Sequence, residues 1–199
     1  METVKLLVAD LSLAASHRHR LLDSLSEEQI ERVNQFKNEK DQLRCMLSSY
    51  LINSLSKEEI KKGDNGKPYF ESGPYFNVSH SGKYVMMVIS DREIGLDIEE
   101  NEPKDMSILI KIFNEAEAKM IKEHSDFYYL WCAKESLIKC MGSSISKIKE
   151  IPSLPFNGVK TYKGKDYQCQ TFIYDKHIVS ITRETREPFE VKLENINKI

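Results

Sequence analysis

Two acidic residues that could share a metal ion, Asp97 and Glu99, lie in the segment Gly-Leu-Asp-Ile-Glu at residues 95–99. Read as a β-strand, this segment alternates, with Leu96 and Ile98 on one face and the two acids on the other. The Cα atoms of the acids are then about 6.6 Å apart, from a rise of ~3.3 Å per residue. Oxygen ligands at this spacing suit Mg²⁺, which usually binds one or two carboxylates together with water and phosphate. The alternative is an acidic pair that simply faces solvent, because short motifs also occur by chance.

A second group with chemical potential follows on a predicted helix from Asp126 to about Met141. Trp131, Glu135 and Lys139 are spaced i, i+4, i+8, so they share one helix face. In the structural alternative, Glu135 and Lys139 form an exposed ion pair that contributes ~0.3–0.5 kcal/mol. If this face meets the acidic strand, Glu135 becomes a third carboxylate and Lys139 can reach a phosphate.

The elements that must position these groups are mixed helices and strands. Strands are predicted at residues 4–9, 76–79, 84–90, 94–99, 159–162, 167–174 and 177–182. Apolar residues at helical spacing, after a cap at Ser26, predict two helices up to about residue 54, with a break at 37–41. Further helices are predicted to begin at 56 and to span 107–113, 115–123 and 126–141. The strands at 84–90 and 94–99 are expected to form a hairpin. The order lacks a regular βαβ alternation, which favours an α+β fold.

The chain length and composition limit the class of protein. With 199 residues the chain can form one large domain or two small ones, and the polar stretch at 101–105 divides it into subdomains of residues 1–100 and 101–199. A net charge of -2 does not indicate a nucleic-acid-binding protein. No apolar run has the length of a signal peptide or a membrane span. Four scattered cysteines without a CxxC pair indicate reduced thiols, so we expect a soluble cytoplasmic protein.

Five motifs, in order, resemble those of the 4′-phosphopantetheinyl transferases. Gly-Leu-Asp-Ile-Glu is followed by Trp-x-x-Lys-Glu-Ser-x-x-Lys at 131–139. Gly-Lys-Pro at 66–68, Phe-Asn-Val-Ser-His-Ser at 76–81 and Phe-x-x-x-Glu at 113–117 complete the set. The order, spacing and chain length resemble the surfactin-synthetase-activating (Sfp-type) class. The resemblance covers about residues 31–142, and it implies two similar α+β subdomains related by a pseudo-twofold axis. Each would be a small antiparallel sheet packed with helices, with the active site at their interface.

The resemblance implies an enzyme that transfers the 4′-phosphopantetheine of coenzyme A to a serine of an apo acyl, peptidyl or polyketide carrier protein. Adenosine 3′,5′-bisphosphate is the other product. On this basis Asp97, Glu99 and Glu135 bind Mg²⁺, and Lys139 contacts a phosphate. Glu117 matches the position of the general base that removes the serine proton.

The same resemblance assigns residues to the nucleotide end of coenzyme A. Ser79 and His80 match contacts to the 3′-phosphate, for which a protonated imidazole is a suitable partner. Lys67 and Pro68 would lie along the adenine and its phosphates.

Basic residues on the first-half helices would add positive charge to this end. Arg44 matches a basic residue of the family, and Arg32 lies nearby in the sequence. Two positions depart from the family pattern: Gln29 stands where some relatives have Lys, and Cys45 where they have Thr or Ser. These departures concern the 3′-phosphate contacts and not the metal site.

Two other functions use some of the same residues. A different magnesium-dependent phosphate-ester enzyme, such as a phosphodiesterase or nuclease, needs only the three acids, although a nuclease should also have a basic, aromatic track. A non-catalytic protein that binds coenzyme A or a carrier would not need the acids. The complete motif set favours the transferase, with no nucleic-acid or membrane partner. A monomer is expected because one chain holds both halves of the site.

Overall fold

The computed structural model describes residues 2–105 and 109–199. The strands are β1 (Glu2–Asp10), β2 (Lys61–Lys62), β3 (Pro68–Tyr69), β4 (Tyr75–Ser81), β5 (Tyr84–Ser90), β6 (Ile94–Glu100), β7 (Asn157–Tyr162), β8 (Lys165–Tyr174), β9 (His177–Glu184) and β10 (Phe189–Ile196). The α-helices are α1 (Leu11–Ser16), α2 (Arg18–Asp23), α3 (Glu27–Asn34), α4 (Glu39–Asn53), α5 (Glu115–Met120) and α6 (His124–Cys140). Short 3₁₀ turns lie at Ile110–Ile112 and Ile145–Lys147. Within these residues every helix is too short or too polar to cross a membrane.

Two four-stranded sheets form the centre of the structure. The first has the order β10-β1-β5-β4, and the second has the order β6-β9-β8-β7. All pairs in the second sheet are antiparallel, whereas β1 and β10 in the first are parallel. β2 and β3 form a separate two-stranded ribbon. The predicted α+β class is confirmed.

Alternating side chains explain the layers. Leu7 and Ala9 of β1 belong to one apolar core with α4, while Val4, Leu6 and Val8 point the other way. That second core lies between the two sheets and also contains Leu96 and Ile98 of β6. A third core joins α6 to the outer face of the second sheet. Because Leu96 and Ile98 face the first sheet, the acids of β6 are turned towards α6.

Helix boundaries follow local chemistry. Ser26 and Gln29 form the predicted capping box at the start of α3. The predicted break between α3 and α4 is confirmed, with Asn38 capping α4. Gly142, at φ 59°, ends α6, and the backbone N–H groups of Gly142 and Ser143 donate to the carbonyls of Lys139 and Ile138. This Schellman arrangement explains why the helix stops at the predicted glycine.

The predicted hairpin between residues 84–90 and 94–99 is wrong. β5 lies between β1 and β4, whereas β6 is an edge strand of the second sheet and pairs with β9. The turn between β5 and β6 therefore carries the chain from one sheet to the other. Arg183 of β9 lies against this turn and is 1% exposed. It forms ion pairs with Asp91 and Glu2, and its Nε donates to the Ser90 hydroxyl at 3.0 Å.

Other predictions fail where long-range pairing decides the structure. No helix begins at 56–59, and residues 60–69 instead contain the β2–β3 ribbon. The helices α1 and α2 and the strand β10 were not predicted. The helix predicted at 107–113 starts outside the described residues and is 3₁₀ at Ile110–Ile112. The division at residue 100 and the pseudo-twofold axis stay predictions. β6 pairs within the second sheet and β10 within the first, so each sheet includes a strand from the other part of the sequence.

Gly95 sets the distance between β6 and α6. A Cβ atom at this position would lie 2.0 Å from the carbonyl oxygen of Ser136 and 2.3 Å from the backbone nitrogen of Cys140. Both are backbone atoms of a helix and cannot rotate away. Strand and helix backbones therefore touch directly at this glycine.

We expect Gly95→Ala to lower the free energy of unfolding by about 1–3 kcal/mol, which is the usual cost of inserting an extra methyl group into a packed core. Gly63→Ala is the matched control, because its Cβ would only meet the Lys67 carbonyl oxygen at 3.7 Å, an ordinary contact. Urea denaturation followed by circular dichroism measures both variants. Equal stability of the two variants would contradict the close approach.

Candidate active site

The acidic strand and the helix stripe meet, as predicted. The Nζ of Lys139 lies 2.5 Å from Asp97 Oδ1 on β6 and 3.2 Å from Glu135 Oε2 on its own helix. Glu99 lies on the same face of β6 as Asp97, and its pKa is affected by the charges of Glu135 and Lys139. Three carboxyl groups and one ammonium group therefore converge between the second sheet and α6.

The helix periodicity predicts which residues of α6 line this site. Trp131, Glu135 and Lys139 are partly exposed, whereas the positions between them are buried. Trp131 stacks on Phe127 with ring centroids 5.8 Å apart and meets the edge of Phe113 at 6.4 Å. The aromatic contacts thus hold one end of the stripe, while its acid and base face β6.

Strand β4 contacts β6 through side-chain hydrogen bonds and not through a ladder of backbone hydrogen bonds. The Oδ1 of Asn77 accepts the backbone N–H of Leu96 at 2.9 Å, and the Ser79 hydroxyl donates to Asp97 Oδ1 at 3.1 Å. The Ser81 hydroxyl donates to Glu99 Oε2 at 3.1 Å. These three β4 residues alternate along the strand, so they share one face. The two sheets are therefore joined at the site by polar side chains.

Burial dominates the electrostatics of the cluster. It raises the pKa values of Asp97, Glu99 and Glu135. Lys139 lowers all three, and repulsion among the carboxylates raises them further. Burial disfavours the charge of Lys139 itself, but attraction to Asp97 and Glu135 outweighs it and raises its pKa. A positive charge among the acids is therefore strongly favoured.

The donor set fits a divalent cation. Among the described residues, no group of three or more His, Cys, Asp or Glu side chains already has the arrangement of a metal centre. However, Asp97 is 2% exposed, and its Oδ2 is buried without a hydrogen-bond partner in the described part of the chain. A buried carboxylate oxygen that lacks a partner is costly unless a cation neutralises it. The carboxylates of Asp97, Glu99 and Glu135 are the ligand type that Mg²⁺ prefers.

A basic group lies on the opposite face of β4 from Ser79 and Ser81. His80 is itself exposed, and partial desolvation, Arg44 and Lys139 lower its pKa. The guanidinium of Arg44 donates to the Gly82 carbonyl at 2.6 Å and to Asp41 at 2.9 Å. His80 and Arg44 thus come together, whereas Ser79 lies in the acidic cluster.

Arg32 lies near α4, the helix that carries Arg44. Burial raises the pKa of the Cys45 thiol, which follows Arg44 on α4, while the positive charge of Arg32 lowers it. Gln29 has a different role, because its side chain closes the capping box of α3 and donates to Asn53 at 2.9 Å. The structure therefore brings Arg32 near α4 and leaves Gln29 as a helix-capping residue.

Lys67 and Pro68 line a separate cleft. The Nζ of Lys67 donates to Glu93 Oε2 at 2.6 Å and to the carbonyls of Ile94 and Cys140 at 3.1 Å. It therefore ties the loop to the start of β6 and the end of α6. The cleft beside it has a volume of about 460 Å³ and is lined by residues that include Pro68, Tyr69, Phe70, Tyr75 and Met141.

Glu117 lies in a buried ion pair, apart from the acidic cluster around Asp97. Its carboxylate pairs with the buried Lys134 at 2.6 Å, accepts the Ser153 hydroxyl at 2.5 Å and accepts the backbone N–H of Asn114 at 3.3 Å. Within the described residues, none of these partners belongs to the acidic cluster around Asp97. Sequence reasoning did not assign a role to Lys134, Asn77 or Ser81. The alternating polar residues of β4 were the signal available for the last two.

Comparisons with known proteins show the family of this chain. A family model described as "4'-phosphopantetheinyl transferase superfamily" matches residues 93–185. The 4'-phosphopantetheinyl transferase Sfp of Bacillus subtilis (strain 168) is 30% identical over 185 residues, which cover 84% of this chain and 80% of that protein. The 4'-phosphopantetheinyl transferase gsp of Aneurinibacillus migulanus is 30% identical over 172 residues, covering 79% and 68%. The chain belongs to the 4′-phosphopantetheinyl transferase superfamily and is an enzyme of the Sfp-like type.

Variants of the Glu117–Lys134 pair can distinguish a structural role of Glu117 from a catalytic one. Breaking a buried ion pair costs on the order of 3–5 kcal/mol, so we expect Glu117→Gln to lower the free energy of unfolding by about that amount. The double variant Glu117→Gln/Lys134→Met removes the stranded charge and should recover most of the stability.

Denaturation and transfer rates measured on both variants test the two roles of Glu117. If Glu117 is also the base, the double variant is stable but slow. Full turnover in the stable double variant would assign the proton transfer to another group. Equal stability of the single variant and the wild type would contradict the structural role.

Proposed function

We propose that this enzyme transfers the 4′-phosphopantetheine group of coenzyme A to a serine hydroxyl of an apo acyl, peptidyl or polyketide carrier protein, with Mg²⁺ bound in the acidic cluster. The observation that carries the proposal is the convergence of Asp97, Glu99, Glu135 and Lys139 in a chain of this family. The serine oxygen forms a bond to the phosphorus that carries pantetheine. The bond from that phosphorus to the bridging oxygen breaks, and adenosine 3′,5′-bisphosphate leaves.

Asp97, Glu99 and Glu135 would hold the cation. A bound Mg²⁺ would act as a Lewis acid that neutralises charge on the pyrophosphate oxygens. The buried, partnerless Asp97 Oδ2 and the raised pKa values of the three carboxyl groups support this assignment.

Lys139 would act on the phosphate next to the acids. Its ammonium is anchored by Asp97 and Glu135, so its flexible side chain is already directed at the cluster. A protonated lysine there stabilises negative charge that develops on the leaving group. Its raised pKa keeps it charged at neutral pH.

The serine proton needs an acceptor, and Glu117 stays the predicted base. This assignment is supported by the Phe-x-x-x-Glu motif, in which Glu117 occupies the position of the general base in the family. Its ion pair with Lys134 fixes the position of the carboxylate. To act on a serine, Glu117 must reach it directly or through water, because the structure places it with Lys134 and Ser153.

The nucleotide would extend from the acids towards the opposite face of β4. Arg44 and His80 would bind the 3′-phosphate, with Arg32 adding positive charge, and Ser79 would contribute from the side of the metal. Lys67 and Pro68 would border the adenine, for which the adjacent aromatic cleft offers space. All of these groups belong to one chain, which supports a monomer. A cytoplasmic location also stays a prediction.

We expect Asp97→Asn to abolish transfer while the protein remains folded, because the variant keeps the shape of the side chain but removes a charged ligand. The test incubates the protein with coenzyme A, Mg²⁺ and several apo carrier proteins, and mass spectrometry then measures each intact carrier. Wild-type protein that adds no phosphopantetheine to any carrier would refute the proposed activity. Full activity in Asp97→Asn would refute the metal assignment.

We expect His80→Ala to raise KM for coenzyme A by about 10-fold, the value of one hydrogen bond to a charged group, with little change in kcat. KM for 3′-dephospho-coenzyme A should not change, because that substrate lacks the phosphate. A parallel rise for both substrates would contradict the contact.

The lowered pKa of His80 makes coenzyme A binding dependent on pH. A phosphate favours the protonated imidazole, so binding takes up a proton and the affinity should fall as pH rises through the His80 pKa, which lies below 6.5 in the free protein. The 3′-phosphate itself titrates near pH ~6. The test therefore compares the pH dependence of coenzyme A affinity in the wild type and in His80→Ala, measured by calorimetry. Identical profiles would exclude a proton on His80 as the cause.

A further inference from the structure

Ser81, the last residue of β4, touches one of the three acids. Its Oγ lies 3.1 Å from Glu99 Oε2 and 3.0 Å from the backbone nitrogen of Glu100. We propose that Ser81 is a positioning residue that holds the Glu99 carboxylate in the orientation in which it binds the divalent cation. This proposal rests on the function proposed above, which places the cation among Asp97, Glu99 and Glu135.

The direction of each hydrogen bond follows from chemistry. The backbone N–H of Glu100 can only donate, so Ser81 Oγ accepts there. An ionised Glu99 can only accept, so the single hydroxyl proton of Ser81 is directed at Glu99 Oε2. Both partners lie on neighbouring residues of β6. The hydroxyl is therefore fixed by the strand that carries the ligand.

Glu99 depends on this contact more than the other two acids do on theirs. Asp97 is short, buried and bonded to both Ser79 and Lys139, and Glu135 pairs with Lys139. Glu99 has a longer side chain and is only half-buried. Among the described residues, Ser81 is the side chain that hydrogen bonds it.

The turn after Ser81 cannot shift to replace this contact. Gly82 has φ 55°, and a Cβ atom there would lie 2.7 Å from Nε2 of the buried His177 and 2.8 Å from Glu100 Oε2. Its carbonyl accepts the Arg44 guanidinium at 2.6 Å. The backbone of the turn is thus held on two sides. Removing the Ser81 hydroxyl should therefore free the Glu99 carboxylate and leave Arg44 in place.

The experiment titrates the whole protein with Mn²⁺, a probe for the Mg²⁺ site, and follows free Mn²⁺ by electron paramagnetic resonance with and without coenzyme A. We expect Ser81→Ala to weaken Mn²⁺ binding by about 10-fold, the lower end of the effect of losing a partner of a metal ligand. Ser81→Thr keeps the hydroxyl and should restore most of the affinity. At saturating Mg²⁺, kcat should stay close to wild type, as should the ratio of KM values for coenzyme A and its 3′-dephospho form.

Ser90→Ala is the matched control, because it removes a buried hydroxyl from β5 that bonds Arg183, away from the acids. It should leave Mn²⁺ affinity unchanged. An equal loss of affinity in Ser90→Ala and Ser81→Ala would overturn the proposal, because the effect would then be general loosening.

Asp97→Asn separates the two levels of the argument. If it loses Mn²⁺ while Ser81→Ala binds like the wild type, the positioning role is overturned and the metal site stands. If Asp97→Asn binds Mn²⁺ as tightly as the wild type, the metal site is overturned, and the role of Ser81 with it.

Discussion

The direct contact between the backbone of β6 at Gly95 and helix α6 is the constraint on which the site depends. Any side chain at this position would overlap backbone atoms of Ser136 and Cys140. Because the strand lies this close to the helix, Asp97, two residues further on, reaches Lys139. A separation larger by one methyl group would part the acid on the strand from the stripe on the helix. The glycine of the acidic motif therefore sets the distance to the helix, and the acids that follow it form the proposed metal site.

Polar side chains join the two sheets where a backbone ladder would otherwise run. Asn77, Ser79 and Ser81 each use a side-chain oxygen to engage β6. This junction keeps the carboxylates of Asp97 and Glu99 oriented while their main chain pairs with β9 on the other side. The orientation of the two carboxylates is therefore fixed by contacts from both sheets.

Two lysines of α6 illustrate how burial assigns different tasks to one residue type. Lys134 is fully buried and pairs with Glu117, so it contributes to the core of the second half. Lys139, five residues later, is partly exposed and lies among the acids. Their spacing puts them on different faces of the helix. The motif Trp-x-x-Lys-Glu-Ser-x-x-Lys therefore combines one lysine in a buried ion pair with a second lysine that lies in the acidic cluster.

Local pattern in the sequence determined much of this protein: most strands, the ends of α3 and α6, the acids on one face of β6 and the stripe of Trp131, Glu135 and Lys139. These features depend on periods of 2 and 3.6 and on capping residues, which act between near neighbours. Tertiary structure alone decided that β6 leaves β5 for the second sheet and that β10 pairs with β1. It also decided that Glu117 pairs with Lys134. The physical reason is that strand partners and buried ion pairs are chosen by contacts between residues distant in sequence, which no local period encodes.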